Sequence, residues 1–474
     1  MTELDSLQCA CCSPVLKKLS DRLSGLGRRH FLTATAATLA SAGLPVTVRS
    51  QPSGSTGKVV FRQARLFDGK SSSLRDNVQV IVEGTKITAI DAANNPPPAG
   101  ATVIDCGGRV VMPGLIDAHW HALFAALPAA VLTTADPGYI FSAATAEAER
   151  TLLRGFTTIR DVGGPTFSFK QAIDDGLIAG PRIYPSGAMI TSSGGHGDLR
   201  MLSELPRTTG QLSTVEKLGG AMIVDSVGEI QMRTREQLMQ GASQIKVVAG
   251  GGVSSPRSPL DMTTFSEAEL HAAVGVARDW NTYVTMHAYA PHTIQRAIAA
   301  GAACIEHAHL MDDETARLMA DKQVWLSTQP FLSADDAVPL TGPSRDRLLQ
   351  VIAGTNSVYT LARKHGIKTA WGSDMLFSPA ITARQGVMLT HLARWYSNAE
   401  ILKMATSTNA ELLALSNLRN PYPGRLGIVE PGALADLLLV DGNPLEDIRL
   451  IETPAKNLRV IMKNGRIHKN TLGS

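Results

Sequence analysis

The sequence predicts an α/β protein, a distorted (β/α)8 TIM barrel flanked by a β-sandwich that both ends of the chain build. Between residues 113 and 419, short buried-type strands alternate with Ala-rich helical stretches. Short β-branched runs separated by turns come before this region, and strand-like runs return after it. The eight successive β-then-α units match the number of strands that a (β/α)8 barrel needs.

The first barrel strand is the apolar run at 110–117, which stops just ahead of His119. The others are short apolar runs at 156–160, 182–185, 244–248, 283–286, 303–305, 324–327 and 368–371. Each is followed by helix-like sequence. Because the catalytic groups of this fold stand at the carboxyl ends of the strands, we expect the functional side chains there.

The predicted sandwich is divided between residues 57–112 and 420–474. Its first part has β-branched runs at 59–61, 78–82, 86–90 and 102–104, with turn sequences between them. Its second part has strand-like runs at 435–440 and 458–462. We expect the two parts to complete one β module beside the barrel.

The charge of the chain excludes some classes of partner. The 45 lysines and arginines exceed the 42 acidic residues by an amount that lies entirely within residues 1–50. The body is therefore neutral, whereas binding to nucleic acid needs clustered cations that neutralise phosphates. Outside the N-terminal tail no segment approaches a run of about 18 apolar residues, so we predict no membrane span.

Residues 1–50 resemble a twin-arginine export signal with a linker. Arg28 and Arg29 precede a mildly apolar stretch rich in Ala and Thr that ends near Pro45. The stretch is too short and too polar for a permanent span, and Ala40 and Ala42 provide a small-residue cleavage sequence. We expect an exported protein, periplasmic or secreted.

Potential metal ligands stand at the ends of five predicted strands. They are His119 and His121 on the first strand, Lys246 on the fourth, His287 on the fifth, His307 on the sixth and Asp374 on the eighth. Residues i and i+2 of a strand point to the same face, so His119 and His121 can reach one cation. An HxH sequence alone is weak evidence for a metal site. The potential ligands at the other strand ends strengthen that evidence.

The chain resembles the amidohydrolase superfamily, metal-dependent hydrolases with a distorted (β/α)8 barrel and a flanking β-sandwich. Residues 114–121 (GLIDAHWH) and 431–437 (PGALADL) carry this resemblance. Residues 160–164 (RDVGG), 194–198 (GGHGD), 250–254 (GGGVS) and 305–307 (IEH) are similar to the branch of prolidase-like carboxypeptidases, which includes ochratoxin A-hydrolysing amidohydrolases. The resemblance covers nearly everything after residue 57.

The resemblance implies two divalent metals, usually zinc, bridged by a carbamylated Lys246. It implies that His119, His121 and Asp374 hold the first metal and that His287 and His307 hold the second. Two cations close together polarise an amide carbonyl and lower the pKa of a water, while Asp374 can move the proton to the leaving nitrogen. Related enzymes often form homo-oligomers, up to octamers.

Residues near the predicted cluster are expected to contact the substrate. His196, in a Gly-rich loop after the third strand, can meet a developing oxyanion, and Tyr289 can donate its hydroxyl. His309 is expected to support the ligands rather than to be one. The substrate is expected to be a small amide or dipeptide-like molecule with a free carboxylate. Arg257 is the basic residue that we expect to bind this carboxylate.

Other functions stay open at this point. If Lys246 is an ordinary ion-paired lysine, the site holds one metal, as in a mononuclear cyclic-amide hydrolase or a deaminase such as imidazolonepropionase. A non-catalytic metal-binding scaffold is a further alternative. The preferred hypothesis is an amide hydrolase that releases an amino acid from an acyl group.

Overall fold

A computed structural model of the chain describes residues 57–208 and 210–473. The predicted export signal and its cleavage sequence lie outside these residues. The strands are β1 (Lys58–Leu66), β2 (Arg75–Glu83), β3 (Lys86–Ala92), β4 (Thr102–Asp105), β5 (Val110–Pro113), β6 (Leu115–Trp120), β7 (Phe156–Asp161), β8 (Arg182–Pro185), β9 (Met189–Thr191), β10 (Ala221–Ile223), β11 (Ile245–Val248), β12 (Val284–Ala288), β13 (Cys304–His307), β14 (Trp325–Thr328), β15 (Thr369–Trp371), β16 (Leu437–Val440), β17 (Leu458–Lys463) and β18 (Arg466–Asn470).

The α-helices lie mainly between the parallel strands. They are α1 (Ala129–Leu132), α2 (Pro137–Leu153), α3 (Phe167–Asp174), α4 (Thr214–Leu218), α5 (Val227–Met239), α6 (Glu267–Asp279), α7 (Pro291–Ala300), α8 (Asp313–Asp321), α9 (Gly342–His365), α10 (Pro379–Thr382), α11 (Gln385–Thr390), α12 (Asn398–Lys403), α13 (Asn409–Ala414) and α14 (Pro454–Asn457). Local sequence sets several boundaries. For example, Ser266 and Glu269 form a capping box at the start of α6, and α9 ends where Gly366 adopts a left-handed conformation. Among the described residues, none of the helices combines the length and apolarity needed to cross a membrane.

The parallel strands form two sheets. One has the order β6-β7-β8, and the other has the order β10-β9-β11-β12-β13-β14-β15. Hydrogen bonds connect the two sheets: the backbone N–H of Ser243 donates to the carbonyl of Pro185, and the Asn409 side chain donates to the carbonyls of Ile116 and Trp371. Each predicted barrel strand has a counterpart, but the first one is divided: residues 110–113 form β5 of another sheet, and only β6 joins the parallel strands. Closure of the parallel strands into a barrel stays a prediction.

Two short strands, β9 and β10, were not expected. β8 leads directly into β9 rather than into a helix, and β9 then pairs with β10 and β11. Three-residue strands give no measurable alternation of apolar and polar residues, so sequence periodicity does not reveal them. They matter for function because the Gly-rich loop with His196 follows β9.

Both ends of the described chain contribute to one eight-stranded sheet. Its order is β18-β17-β16-β5-β1-β2-β3, and β4 pairs with β1. Strand β16 pairs with β5, so residues more than 300 positions apart in sequence, such as Leu438 and Met112, are neighbours in the sheet. One apolar cluster, including Phe61, Val80 and Leu439, covers this sheet. The arrangement of these strands as a sandwich stays a prediction.

Candidate metal centre and its cavity

The parallel strands bring the predicted site residues to one cavity. This cavity, which we call lobe A, has an empty volume of about 910 Å³ including its open mouth. It is lined by His119, His121, His196, Lys246, His287, His307 and Asp374. Tyr289 lines an adjoining cavity of about 600 Å³, lobe B, which shares His196, His287 and Asp374 with lobe A. Each residue that the sequence singles out as a ligand or catalytic group therefore borders one or both of these adjoining lobes.

His119, His121 and Asp374 form the tightest group. The Nε2 atom of His119 lies 3.2 Å from Asp374 Oδ1, and that of His121 lies 3.5 Å from the same oxygen. One ligand atom from each of these three residues lies within 4.8 Å of those of the others. Three such atoms around a common point can hold one divalent cation.

His287 and His307 lie next to this group. The imidazole of His307 is 4.9 Å from that of His119 and 4.4 Å from that of His287, measured between ring centroids. Burial lowers the pKa of both His287 and His307 well below the usual value, and a neighbouring histidine lowers each further. Neutral imidazole is the form that binds a metal.

Each of these four imidazoles uses one ring nitrogen within the protein. His119 Nδ1–H donates to Glu306 Oε2 at 2.8 Å, His121 Nδ1–H to the Gly163 carbonyl at 3.0 Å, His287 Nε2–H to the Gly251 carbonyl at 2.8 Å and His307 Nδ1–H to Gln329 Oε1 at 2.8 Å. The other ring nitrogen of His119 and of His121 faces Asp374 Oδ1 within the candidate metal group. Such outer hydrogen bonds fix the tautomer and orientation of metal-binding histidines.

Lys246 is the least conventional member of the site. Its side chain is 1% exposed, and its Nζ has no hydrogen-bond partner in the described chain. Burial lowers the pKa of Lys246 to about 8, although Glu306 and Asp374 act in the opposite direction. A buried amine without partners is costly, so this position suits a lysine that is modified or meets a bound group.

A buried carboxylate that the sequence reasoning did not single out, Glu306, organises the floor of the site. Besides accepting from His119, it accepts a hydrogen bond from Arg160 Nη2 at 2.6 Å and another from the Thr285 hydroxyl. Burial would raise the pKa of Glu306, but the Arg160 guanidinium, together with Lys246 and His119, holds that pKa well below its usual value. The sequence signal that could have revealed this pair is a charged residue, Arg160 or Glu306, inside each of two otherwise apolar strands.

Asp117 has a similar role on the other side of the cluster. Its carboxylate accepts from the His119 backbone N–H at 3.0 Å, from the Ser373 hydroxyl at 2.6 Å and from Gln385 Nε2 at 2.8 Å. It therefore ties β6 to the loop that carries Asp374.

Burial would raise the pKa of Asp374, but His119, His121 and His307 hold it well below the usual value.

The backbone at the ends of two strands is strained. His307 and Asp374 have φ angles of 77° and 51°, in the left-handed region that non-glycine residues seldom adopt. Gly372, close to Asp374, packs directly on His119, so that any Cβ at this position would overlap the His119 backbone and Cβ. Such conformations cluster at functional sites.

A second Gly-rich loop, residues 250–254 after β11, packs against His196. The imidazole of His196 stacks on His287 with ring centroids 4.5 Å apart, and its buried Nδ1 has no partner in the described residues. A Cβ on Gly252 would overlap this imidazole, so glycine is what allows His196 to approach. Burial lowers the pKa of His196 to about 4, so its ring is neutral near pH 7.

The remaining expected residues take different places. Tyr289 stacks on His307 with centroids 4.9 Å apart, and burial raises the pKa of its hydroxyl well above the usual value. His309 is buried and donates from Nε2 to the Gln329 carbonyl at 2.9 Å, beneath the ligands. Arg257 is exposed and lines a separate cavity with Arg200 and Arg207.

Comparisons with known proteins agree with this geometry. Residues 110–468 match the amidohydrolase family. Ochratoxinase from Aspergillus niger is 30% identical over 375 residues, which cover 76% of each chain. Among solved structures, a prolidase complexed with N-methylphosphonate-L-proline is 31% identical with a TM-score of 0.80, and the match covers 87% of this chain and 100% of that one. A Xaa-Pro dipeptidase with bound methionine is 27% identical with a TM-score of 0.74, covering 87% and 100%. This chain therefore belongs to the amidohydrolase family and is a hydrolase of amide or peptide C–N bonds.

Proposed function

We propose that the enzyme cleaves the amide bond between an acyl group and a C-terminal amino acid, as in the hydrolysis of ochratoxin A to ochratoxin alpha and phenylalanine. The observation that carries this proposal is the pair of lobes that meet at the histidine cluster. His196, His287 and Asp374 border both lobes. A scissile amide at this junction would place its acyl half in one lobe and its amino acid in the other.

The lobes suit substrates with apolar groups on both sides of the amide. Lobe A is lined by Phe124, Leu132, Met189, Leu199, Val215 and Leu218. Lobe B is lined by Phe331, Val338, Leu340, Leu348, Val351 and Ile381. Burial of aromatic or aliphatic groups in such cavities supplies binding energy. The names of the ochratoxinase and prolidase relatives are consistent with this chemistry.

We propose further that the site holds two divalent metals, zinc in the first instance. His119, His121 and Asp374 would hold one, His287 and His307 the other, and a carbamate on Lys246 would serve both. The unpartnered Nζ of Lys246 and the free ring nitrogens fit this role. When bound, such metals polarise the amide carbonyl and lower the pKa of a water molecule.

The protein's own groups then have distinct tasks. Asp374 accepts a proton from the attacking water and delivers it to the leaving nitrogen, so that one acid and one amine are formed from amide and water. The neutral His196 would donate a hydrogen bond to the negative charge that develops on the carbonyl oxygen. Tyr289, buried beside His307, orients the substrate through its hydroxyl.

Replacement of Lys246 tests the proposal. Lys246→Ala should lose most activity toward N-acyl amino acids and much of the second metal, from about two per chain to about one. A short carboxylic acid such as propionate should partly restore both, because it supplies the missing oxygen ligands. Metal content by mass spectrometry and release of the free amino acid are the measurements.

Lys463→Met is the matched control, because Lys463 is also buried but donates to the Gly180 carbonyl away from the site. It should keep both metals. Near-native turnover of Lys246→Ala with two metals would contradict the proposed carbamate. About one metal in the wild type would favour the mononuclear cyclic-amide hydrolase or deaminase instead.

The wider expectations from the sequence are part of the same proposal. We propose that the parallel strands close into a (β/α)8 barrel at residues 113–419, with Asn409 joining β6 and β15. Residues 57–112 and 420–474 would form the flanking sandwich. The proposal also includes export through the twin-arginine-type signal at 1–50 and assembly into a homo-oligomer, up to an octamer.

A further inference from the structure

The walls of the two lobes have few cations with which to bind a substrate carboxylate. Among the described residues that line them, Lys246 is the only lysine, and none is an arginine. Lys246 lies within the metal-binding cluster, and Arg257 lines another cavity. Away from the proposed metals, a free carboxylate in these lobes can be recognised by neutral donors or by a cation behind the wall.

Arg347, on α9, is a cation in that position. It is 8% exposed, and its Nη2 donates to the Ser255 carbonyl at 2.8 Å and to the Val253 carbonyl at 3.3 Å. Val253, Ser254 and Ser255 line the lobes, and the next residue of α9, Leu348, lines lobe B. The guanidinium thus lies directly behind a segment of cavity wall.

The charge of Arg347 is not neutralised by the protein. No carboxylate forms an ion pair with it in the described chain, and its buried Nε has no hydrogen-bond partner there. The carboxylate that acts on it through space is Asp346, which is exposed. A buried cation without a counter-charge is unfavourable, so an anion bound nearby would be stabilised.

The peptide plane determines what this segment offers to the cavity. In a trans peptide the C=O and the following N–H point in opposite directions. Because the Val253 carbonyl accepts from Arg347, the N–H of Ser254 points away from Arg347. Ser254 itself lines both lobes, so we infer that this N–H is on the cavity side of the segment. No protein acceptor takes this N–H among the described residues. By donating to the carbonyls of Val253 and Ser255, Arg347 leaves the Ser254 N–H as a donor on this segment.

We propose that the segment 253–255, backed by Arg347, binds the free carboxylate of the substrate. This inference rests on the proposed function and names the group that selects an amino acid with a free α-carboxylate. The Ser254 N–H and hydroxyl donate to the carboxylate, and Arg347 supplies the counter-charge from behind the loop. Arg347 is therefore a positioning and charge-balancing residue that does not touch the reacting atoms.

The test compares N-benzoyl-L-phenylalanine with N-benzoyl-L-phenylalaninamide, using zinc-loaded full-length enzyme. Both release benzoate from the same amide bond, and only the first has a carboxylate. Because a hydrogen bond to a charged group contributes more than one to a neutral group, the wild type should prefer the acid by about tenfold or more in kcat/KM. Arg347→Met should bring this ratio close to one, mainly by raising KM for the acid.

Arg345→Met is the matched control, because Arg345 lies on the same helix, is exposed and makes no ion pair in the described chain. It should keep the wild-type ratio. Arg347→Lys, which keeps a cation, should retain part of the preference. This separates loss of charge from collapse of the loop.

The possible failures are distinguishable. A wild type that cleaves acid and amide equally removes carboxylate recognition from the proposed function, and this inference with it. A wild type that prefers the acid while Arg347→Met keeps the full preference leaves the proposed function intact and overturns the role of Arg347. Equal loss of both activities in Arg347→Met and Arg347→Lys also overturns it.

Discussion

Near the carboxyl ends of β6, β7 and β13, His119, Arg160 and Glu306 lie fully buried against one another, whereas the interior of the eight-stranded sheet is apolar around Phe61 and Leu439. A second buried ion pair connects Arg182, the first residue of β8, with Asp436, the residue before β16 of that sheet. Burying charge is unfavourable unless partners satisfy it. The chain places such charges under the candidate metal centre to orient ligands, and at the junction to join two sheets. The two regions should therefore respond differently to the loss of one charge.

The largest expected difference is between Glu306→Gln and Asp436→Asn. Glu306→Gln weakens the partner of His119 and leaves Arg160 uncompensated, so we expect a loss of about 10- to 100-fold in metal affinity or turnover. Asp436→Asn leaves Arg182 without its carboxylate and should lower the thermal midpoint while kcat/KM stays within about threefold. Metal titration, kinetics and calorimetry on both variants measure this. Equal effects on turnover would contradict the division of roles.

Gly252→Ala should damage the site without damaging the fold. The added Cβ would overlap the imidazole of His196, so His196 must move away from the junction of the lobes. We expect turnover to fall by about 10- to 100-fold, as for loss of a donor to the developing oxyanion, with little change in metal content.

Gly250→Ala is the matched control in the same loop, because a Cβ there would make only ordinary contacts. Steady-state kinetics, metal analysis and thermal midpoints of the two variants form the comparison. If Gly250→Ala reduced turnover as much as Gly252→Ala, general loop distortion would explain the loss rather than displacement of His196.

The smallest expected effect concerns Lys463, at the end of β17 in the eight-stranded sheet. Burial lowers the pKa of Lys463 to about 8, and Arg182 lowers it further, against Asp436 and Asp174. Between pH 8 and 10.5 the unfolded chain holds more protons, so stability from this group rises with pH. Relative to Lys463→Met, the wild type should gain about 1–2 kcal/mol between pH 8 and 10. Unfolding of both proteins at each pH measures this, and a constant difference would contradict it.

Much of the architecture could be predicted because it depends on local patterns. The apolar runs around residues 156–160 and 245–248 are strands because β-branched residues fit a buried sheet. The candidate ligands follow from the rule that strand ends carry the site. β9 and β10 could not be predicted, because Met189–Thr191 and Ala221–Ile223 are too short for periodicity. Their positions depend on neighbouring strands instead.

The supporting residues of the site were harder to predict than its candidate ligands. Glu306 and Arg160 are 146 positions apart, and nothing local indicates that they pair. Nothing local indicates the proposed role of Arg347 either, because that role depends on which carbonyls α9 faces after folding. A sequence shows which side chains can bind a metal or a carboxylate, whereas the partners that orient them depend on tertiary contacts.

The left-handed backbone at His307 and Asp374 has a consequence for protein engineering. Copying the six candidate ligands onto a scaffold with regular strand ends would point His307 and Asp374 in the wrong directions, because the side-chain vectors of these two depend on φ angles that regular strands do not have. A graft would also need Gly372, whose lack of a side chain admits His119. The transferable unit is therefore a set of strand ends with their irregular backbone, rather than a list of residues.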